Sequence, residues 1–332
     1  MNKITLSHGS GGKLMQDLIK DLFIKNLANP YVKKMDDSAK LKINTKDILY
    51  TTDSFVVNPI FFPGGDIGKL SICGTVNDLA VAGGRPRFIT CGMIVEEGFG
   101  YKDLEKITLS IKATCKTSGV DVVAGYIKVF EQGAVDKIFI NTSGIGEKLP
   151  NARLGTDKIR PGDKIIVSGS VGDHGAAVMV KREDLKFKAS IHSDCAPLNG
   201  LIASIISPSI KFMRDPTRGG LATTLNEVSE SSGYSIYIKE WDIPIKNSVR
   251  ALCEILGLDP LYMANEGKVI VVVSREATNK VLRAMKKHPL GKGARIIGEV
   301  EKQREKKVYL KTKIGGTKII DMLKGEQVPR IC

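Results

Sequence analysis

Residues 61–82 read FFPGGDIGKLSICGTVNDLAVA, and this stretch decides how the first half of the chain is built. Its first six residues combine a proline with two glycines, which favours a tight turn. The remaining residues predict a helix over 67–82 that carries the polar pair Asn77-Asp78. Two further glycines and a proline at 83–86 then end this helix.

Strands are predicted on both sides of this helix, at 48–53 and at 87–96. The other predicted strands are 40–44, 120–129, 137–146, 165–169, 235–238, 269–273, 294–300 and a hairpin over 308–320. The other predicted helices follow the glycine loop at 8–13, cover 101–119, begin at 172–175, and cover 195–206, 221–232, 249–256 and 277–288. This alternation predicts a mixed α/β (α+β) protein with two comparable halves.

Prolines and glycines within residues 148–164 predict the boundary between the halves. We therefore expect an N-terminal domain over 1–148 and a C-terminal domain over 149–320. Residues 321–332 are predicted to be a mobile tail, because the approach over 324–329 is short and polar, with a glycine that adds freedom and a proline that stiffens one step.

The composition is that of a soluble globular chain, with 332 residues, 42% hydrophobic and 26% charged. No stretch approaches the roughly 18 apolar residues of a membrane span, and the start lacks the apolar run of a signal peptide. We therefore expect a cytoplasmic protein with no membrane partner. The net charge of +14 is scattered without interleaved aromatic residues, so we also expect no nucleic-acid partner.

The chain ends in Pro329-Arg330-Ile331-Cys332, after a polar approach that contains Gly325. A cysteine on such a tail could take up a chemical group at one place and present it at another. The plainer interpretation is a frayed tail with an incidental cysteine. None of the six cysteines forms a CxxC pair, and the other five are expected to be buried, reduced thiols.

A glycine-rich loop opens the chain, formed by His8, Gly9, Ser10, Gly11, Gly12 and Lys13. Its backbone N–H groups and its lysine suit a phosphate at the start of a helix. The spacing is not that of a P-loop, and a plain capped turn is about as consistent with it.

Three aspartates are candidates for a metal–nucleotide site: Asp53 after a strand, Asp78 in the helix, and Asp215 in a second glycine-rich loop predicted over 212–220. Each could instead be a helix cap or a turn residue. Lys128 and Glu266 lie within or before apolar strands, where we expect charges to be buried or half-buried, and such charges are usually paired or functional.

His174, in a Gly-Asp-His-Gly turn, could be a catalytic base or a structural histidine. The histidines at 192 and 288 are expected on the surface.

Nine motifs, in order along the whole chain, together carry a family resemblance. They are HGSGGK (8–13), TTDSF (51–55), FFPGGDIGKL (61–70), CGTVNDLA (73–80), GDHGA (172–176), RDPTRGG (214–220), ANEGK (264–268), HPLGK (288–292) and PRIC (329–332). This set resembles the HypE family of NiFe-hydrogenase maturation proteins, within the AIR-synthase-related (PurM-like) ATP-binding superfamily.

The resemblance implies a two-domain PurM-like fold in which the N-terminal sheet forms a barrel with that of a second copy. It implies that a carbamoyltransferase, HypF, loads a carbamoyl group onto Cys332. ATP-dependent dehydration then gives an S-cyanide, which passes to iron on a HypC–HypD complex. Phosphorylation makes the amide oxygen a good leaving group, and the two N–H protons need an acceptor.

By the same resemblance, Asp53, Asp78 and Asp215 would hold Mg²⁺ with ATP. Residues 8–13, Asn77 and Arg218 would contact the nucleotide, and Lys128 and Glu266 would handle the amide protons.

The chain departs from the family at Gly125-Tyr126-Ile127-Lys128, where Gly-Asp-Thr-Lys is usual. A neutral phenol is a poor Mg²⁺ ligand. Metal affinity is therefore expected to be lower, unless a nearby acid such as Asp121 compensates.

Two rival functions are consistent with the same glycine loops and aspartates. One is another ATP-dependent enzyme of the superfamily, a small-molecule kinase or a synthase, which would not need Cys332. The other is a nucleotide-binding scaffold with impaired catalysis.

Overall fold

A computed structural model describes residues 3–35, 38–183, 190–323, 325, 327–328 and 330–332. Its first half contains six strands: β1 Ile48–Phe55, β2 Phe61–Phe62, β3 Gly65–Asp66, β4 Gly84–Glu96, β5 Asp121–Phe130 and β6 Ile138–Lys148. Its helices are α1 Lys13–Leu18, α2 Lys25–Leu27, α3 Ile67–Val81 and α4 Tyr101–Ser118, with a π-helical turn, Ile19–Ile24, joining α1 to α2. Short 3₁₀ turns cover Leu6–Gly9 and Val32–Lys34.

The four long strands form one sheet in the order β1-β6-β4-β5. β4 and β5 are parallel, while the other pairs are antiparallel. Side chains alternate across the sheet, so one face packs on α3 and α4 and the other is open. The open face carries large exposed side chains, among them Tyr50, Ile94 and Tyr126.

Helix α3 lies in the centre of the molecule, between the first sheet and the second half of the chain. The Asp66 carboxylate caps it, accepting from the N–H groups of Gly68 at 2.7 Å and Lys69 at 3.1 Å. Gly74 lets the sheet approach closely, since a Cβ there would lie 2.8 Å from the Phe55 ring. Because α3 is buried on almost every side, it brings Asn77 and Asp78 to the junction of the two halves.

The second half is built on seven strands: β7 Lys164–Val167, β8 Ile210–Arg214, β9 Ser235–Lys239, β10 Ile270–Val273, β11 Arg295–Glu301, β12 Val308–Lys311 and β13 Thr317–Ile320. Their order is β13-β12-β9-β11-β7-β10-β8. The helices are α5 Asp173–Arg182, α6 Asn199–Ile205, α7 Gly220–Ser232, α8 Asn247–Leu256 and α9 Thr278–Lys287. Separate apolar clusters cover the two faces of this sheet, one including α7 and the other α6 and α9.

The mixed α/β class and most predicted elements are confirmed. The predicted helix over 67–82 is α3, the helix ending at Gly119 is α4 with that glycine in the left-handed conformation, and the hairpin over 308–320 is β12–β13. The five cysteines expected to be buried are buried.

Three predicted elements are wrong in whole or in part. Residues 40–44 form no strand, because no other strand of the described chain pairs with them. The helix predicted over 195–206 begins only at Asn199, since the backbone before it bonds to Glu266 and Asn77 instead. Residues 210–214, assigned in part to a loop, form β8.

No helix in the part of the chain that the structure describes is long and apolar enough to cross a membrane.

Candidate active site

The last residues of the chain dock against the segment that follows β1. Asn58 N–H donates to the Arg330 oxygen and Val56 N–H to the Cys332 oxygen, both at 3.1 Å. Ile331 between them is buried in the core of the first half. Residues 330–332 therefore pair with residues 56–58 like a short added strand. Residues 324, 326 and 329 of the predicted tail lie outside the described residues.

Docking brings the Cys332 thiol into the junction between the two halves. The thiol lines a cavity of about 350 Å³. Burial and the nearby carboxylates of Glu266 and Asp53 raise the pKa of Cys332 to about 12, while the Arg218 guanidinium, hydrogen-bonded to it, opposes the shift. The docked sulfur is therefore a protonated thiol, in reach of three of the predicted site residues. The rest of the cavity wall includes Val56, Gly219, Thr223, Tyr262, Ala264, Leu323, Gly325, Gln327, Val328, Arg330 and Ile331.

Three different elements bring the three predicted aspartates together. Asp53 lies on β1, Asp78 on α3, and Asp215 directly after β8. Burial is the main cause that raises the pKa of each carboxyl, and repulsion from Asp53 adds to the shift of Asp78. Burial and repulsion from Asp78 raise the pKa of Asp215 to about 7. Thr51 Oγ1 donates to Asp78 at 3.0 Å, a hydrogen bond that favours the charged form of the Asp78 carboxyl.

This cluster has the charge that a divalent cation would neutralise. Among the described residues, no three His, Cys, Asp or Glu side chains enclose a metal position by themselves. Mg²⁺ commonly uses one or two carboxylates and completes its shell with water and phosphate oxygens. The mutually repelling aspartates therefore fit Mg²⁺ held jointly with a nucleotide better than a metal held by protein alone.

Glu266 lies beside this cluster and is only 2% exposed. Its Oε1 is buried and has no hydrogen-bond partner among the residues described. Burial, followed by repulsion from Cys195 and Asp215, raises the pKa of Glu266 well above its usual range. A buried carboxyl without a partner is costly, which is typical of a group kept for chemistry.

The backbone of Glu266 is held from both sides. Its oxygen accepts from Asn77 Nδ2 and from Ala196 N–H, each at 3.2 Å. Its N–H donates to Asp194 at 3.2 Å. Asp194 is itself buried, and its carboxylate lies 3.1 Å from the Lys268 ammonium. No motif in the sequence singled this residue out.

Asn77, predicted from the resemblance to contact the nucleotide, lies in a different environment. Its side chain is fully buried, and both contacts of Nδ2 are with backbone oxygens, of Ala196 and Glu266. Its Oδ1 accepts from Leu198 N–H at 2.8 Å. In the structure Asn77 thus fastens α3 to the Glu266 loop.

The glycine loop and Lys128 lie away from this cluster. Gly9 packs on β5, where a Cβ would be 2.4 Å from Val129 N, and the loop from Ser10 to Lys13 is exposed. His8 is buried, and its Nδ1 accepts from Thr5 N–H at 3.0 Å. β5 and β1 are opposite edges of the sheet, three strand spacings or about 14 Å apart.

Lys128 was expected to be at least half-buried, and this is wrong. It lies exposed on the open face of β5, together with Tyr126, because residues 127 and 129 take the inward positions. Within one copy of the chain, Lys128 is therefore separated from Glu266 by the width of the sheet.

His174, left open between a base and a structural residue, contacts the docked tail. Its Nδ1 lies 2.8 Å from Ser193 Oγ and its Nε2 lies 2.8 Å from the Ile331 oxygen. The edge of its ring packs against Phe62. This contact requires the tail to be docked, and sequence reasoning did not find it.

Comparison with protein families supports the resemblance. Residues 35–147 match the model for the AIR synthase related protein N-terminal domain, and residues 160–311 match the model for its C-terminal domain. The carbamoyl dehydratase HypE of Azotobacter vinelandii is 46% identical over 331 residues, which cover 99% of this chain and 97% of that one. The chain belongs to the HypE family.

Other HypE proteins agree over the full length. Carbamoyl dehydratase HypE of Escherichia coli K12 is 44% identical and is matched over 100% of both chains. A crystal structure of HypE in complex with ATP superposes with a TM-score of 0.95 at 43% identity, covering 99% of each chain. The predicted family and its two-domain PurM-like fold are confirmed.

Two further structures define the limits of the likeness. HypE in a HypE–HypF complex matches with a TM-score of 0.81 at 49% identity, covering 92% of this chain and 99% of that one. Thiamine monophosphate kinase from Aquifex aeolicus matches with a TM-score of 0.58 at 21% identity, covering 90% and 98%. The kinase likeness shows the fold alone.

Proposed function

We propose that this chain is an ATP-dependent carbamoyl dehydratase that converts an S-carbamoyl group on Cys332 into an S-cyanide. The product would supply the cyanide ligand of the NiFe-hydrogenase iron. The observation that carries the proposal is the docked Cys332 thiol beside Glu266, Arg218 and the aspartate cluster. The activity named for the relatives, and the HypE structure that contains ATP, support it.

In the proposed reaction, the carbamoyl oxygen attacks the γ-phosphorus of ATP, and ADP leaves. One N–H proton is lost as the S–C(O-phosphate)=NH group forms. The second N–H proton is lost as phosphate departs, which leaves S–C≡N, ADP and phosphate. The carbamoyl oxygen ends in the phosphate.

We assign Glu266 as a proton acceptor from the amide nitrogen. Its pKa is raised by burial and by repulsion from Cys195 and the neighbouring acids, which favours the protonated form while the aspartates are uncompensated. Mg²⁺ bound with ATP by Asp53, Asp78 and Asp215 would neutralise charge on these carboxylates and on the phosphates. Relief of that repulsion lowers the Glu266 pKa and favours the carboxylate, the form that can accept a proton. Asn77 would then position Glu266 through its backbone oxygen.

We propose a homodimer in which the partner sheet completes the site. We assign residues 8–13 to the phosphates and Lys128 to the second amide proton. Both lie at the β5 edge of the sheet, far from β1. The exposed tyrosines and Ile94 on the open face give a second copy an apolar surface to cover. Arg218 remains a candidate to contact the phosphates.

The raised thiol pKa requires the tail to move between two steps. A docked thiol with a pKa of about 12 is almost wholly protonated at neutral pH, and the thiolate is the nucleophile. Loading by HypF therefore takes place with the tail undocked, and dehydration with it docked.

The HypE–HypF complex supports HypF as a partner, and a HypC–HypD complex would receive the cyanide. We place these reactions in the cytoplasm and divide the chain into 1–148, 149–320 and a mobile 321–332.

The proposal is tested by intact mass spectrometry after incubation with HypF, carbamoyl phosphate, ATP and Mg²⁺. We expect a carbamoyl adduct on Cys332 that then loses the mass of one water, and no adduct on the five buried cysteines. Cys332→Ser should acquire neither change. An adduct that never loses water would exclude the dehydratase, and turnover of ATP that persists in Cys332→Ser would favour a rival enzyme.

A further inference from the structure

Helix α5 reaches the docked tail from both of its ends. In its first turn, His174 Nε2 lies 2.8 Å from the Ile331 oxygen. At its last residue, the Arg182 guanidinium donates to the Arg330 oxygen at 2.9 Å. The same guanidinium also binds the Asn58 oxygen, at 2.6 and 2.8 Å, and so joins the tail to the segment on which it lies.

The surroundings of His174 fix which nitrogen donates. The Ile331 main-chain oxygen can only accept, so Nε2 must be the donor, and the neutral ring leaves Nδ1 to accept from the Ser193 hydroxyl. Nε2 then carries the imidazole proton and donates it to Ile331. Burial lowers the pKa of His174, which favours this neutral form.

All of these bonds end on main-chain oxygens. Two further bonds follow the same pattern, since the Val56 and Asn58 N–H groups also donate to main-chain oxygens of the tail. The Arg330 side chain adds an anchor on the first half, through Asp136 and the Val56 oxygen. None of these bonds has to change when the group on the Cys332 sulfur changes.

We propose that α5 is a tail clamp, in which His174 and Arg182 act as positioning residues that set the fraction of time Cys332 spends docked. The clamp holds the backbone of residues 330–331 in the same way for the thiol, the carbamoyl form and the cyanide form. Recognition of the group itself is left to Arg218 and Glu266. The effect of the clamp on catalysis rests on the proposed function, whereas its effect on how long the tail stays docked does not.

The test is the rate at which iodoacetamide alkylates Cys332 in the full chain, followed by intact mass without ATP or HypF. Since the docked thiol is protonated, alkylation reports the undocked fraction. Arg182→Ala and His174→Phe should each speed alkylation about tenfold, the factor for one lost buried hydrogen bond. Arg182→Lys should recover part of the change. Lys181→Ala, exposed on the same helix, should leave the rate unchanged.

The catalytic readout separates positioning from general damage. In Arg182→Ala, loading by HypF should become faster while dehydration becomes slower, whereas simple destabilisation would slow both. Unchanged alkylation in both clamp variants, or equal acceleration in Lys181→Ala, overturns the clamp. If His174→Phe does not fold, the alkylation rate of Arg182→Ala tests the clamp by itself, because Arg182 is only half-buried. Alkylation that changes as expected in a chain that forms no cyanide would leave the clamp standing and overturn the proposed function.

Discussion

Replacing Asp215 by asparagine gives a quantitative test of the carboxylate cluster. Burial and repulsion from Asp78 raise the pKa of Asp215 from its ordinary 3.8 to about 7. The folded chain therefore holds this proton more tightly than the unfolded chain, so the free energy of unfolding falls as the pH rises between these two values. At about 1.4 kcal/mol per pH unit, the ionised carboxylate destabilises the fold by about 4 kcal/mol above pH 7.

Asparagine keeps the shape of the side chain and has no proton to lose. Part of the penalty is already present at pH 5, because the unfolded carboxyl is ionised there. The stability of Asp215→Asn relative to wild type should therefore grow by roughly 3 kcal/mol between pH 5 and pH 8. Urea unfolding at the two pH values measures this difference. The same variant should lose Mg²⁺-dependent turnover.

The control is Asp121→Asn, an exposed aspartate at the start of β5. Its stability difference from wild type should be the same at both pH values. An equally constant difference for Asp215→Asn would refute the reasoning, because it would mean that the Asp215 carboxyl pays no burial cost in the folded chain.

Three further predictions address other parts of the site. Glu266→Gln should slow dehydration by about 10²-fold or more, the usual contribution of a general base. A carbamoyl adduct on Cys332 should therefore accumulate in mass spectra. Conversion of the adduct at the normal rate would show that Glu266 does not transfer the proton. Gly220→Ala should destabilise the fold by at least about 2 kcal/mol in urea unfolding, because the φ of Gly220 is +60° and a Cβ there would lie 2.5 Å from the Met263 oxygen. Gly233→Ala is the control, and it should destabilise the fold less, because Gly233 has φ +78° but open space around it. Tyr126→Asp should lower the Mg²⁺ concentration needed for half-maximal activity severalfold, and an unchanged Mg²⁺ titration would exclude position 126 from the metal site.

Local signals in the sequence were enough to predict most of the fold. The proline–glycine turn before α3 and the glycine that ends α4 act within a few residues of themselves, so they can be read without knowing the partners. The strand predicted over 40–44 was wrong because alternation alone does not supply a neighbouring strand.

The site was less predictable, because its geometry depends on contacts between distant parts of the chain. Asn77 stood out in the sequence only as half of a polar pair in a helix, because its bonds to Leu198 and Glu266 cross more than a hundred residues of sequence. The roles of Asp194 and Arg182 likewise appear only once the halves meet and the tail docks. The family resemblance indicated which residues belong to the site, and the structure shows which of these residues lie close together within one copy of the chain.

The docked tail also has a consequence for how long the protein survives between turnovers. Burial raises the pKa of the Cys91 and Cys115 thiols to about 12 and that of Cys253 to about 11, and docking gives Cys332 a value of about 12 as well. Peroxides attack thiolates, and oxidation beyond the sulfenic acid is generally irreversible. A chain at rest with its tail docked therefore keeps its one carrier sulfur in the form that oxidants attack least, and exposes it to damage only while it waits for a partner.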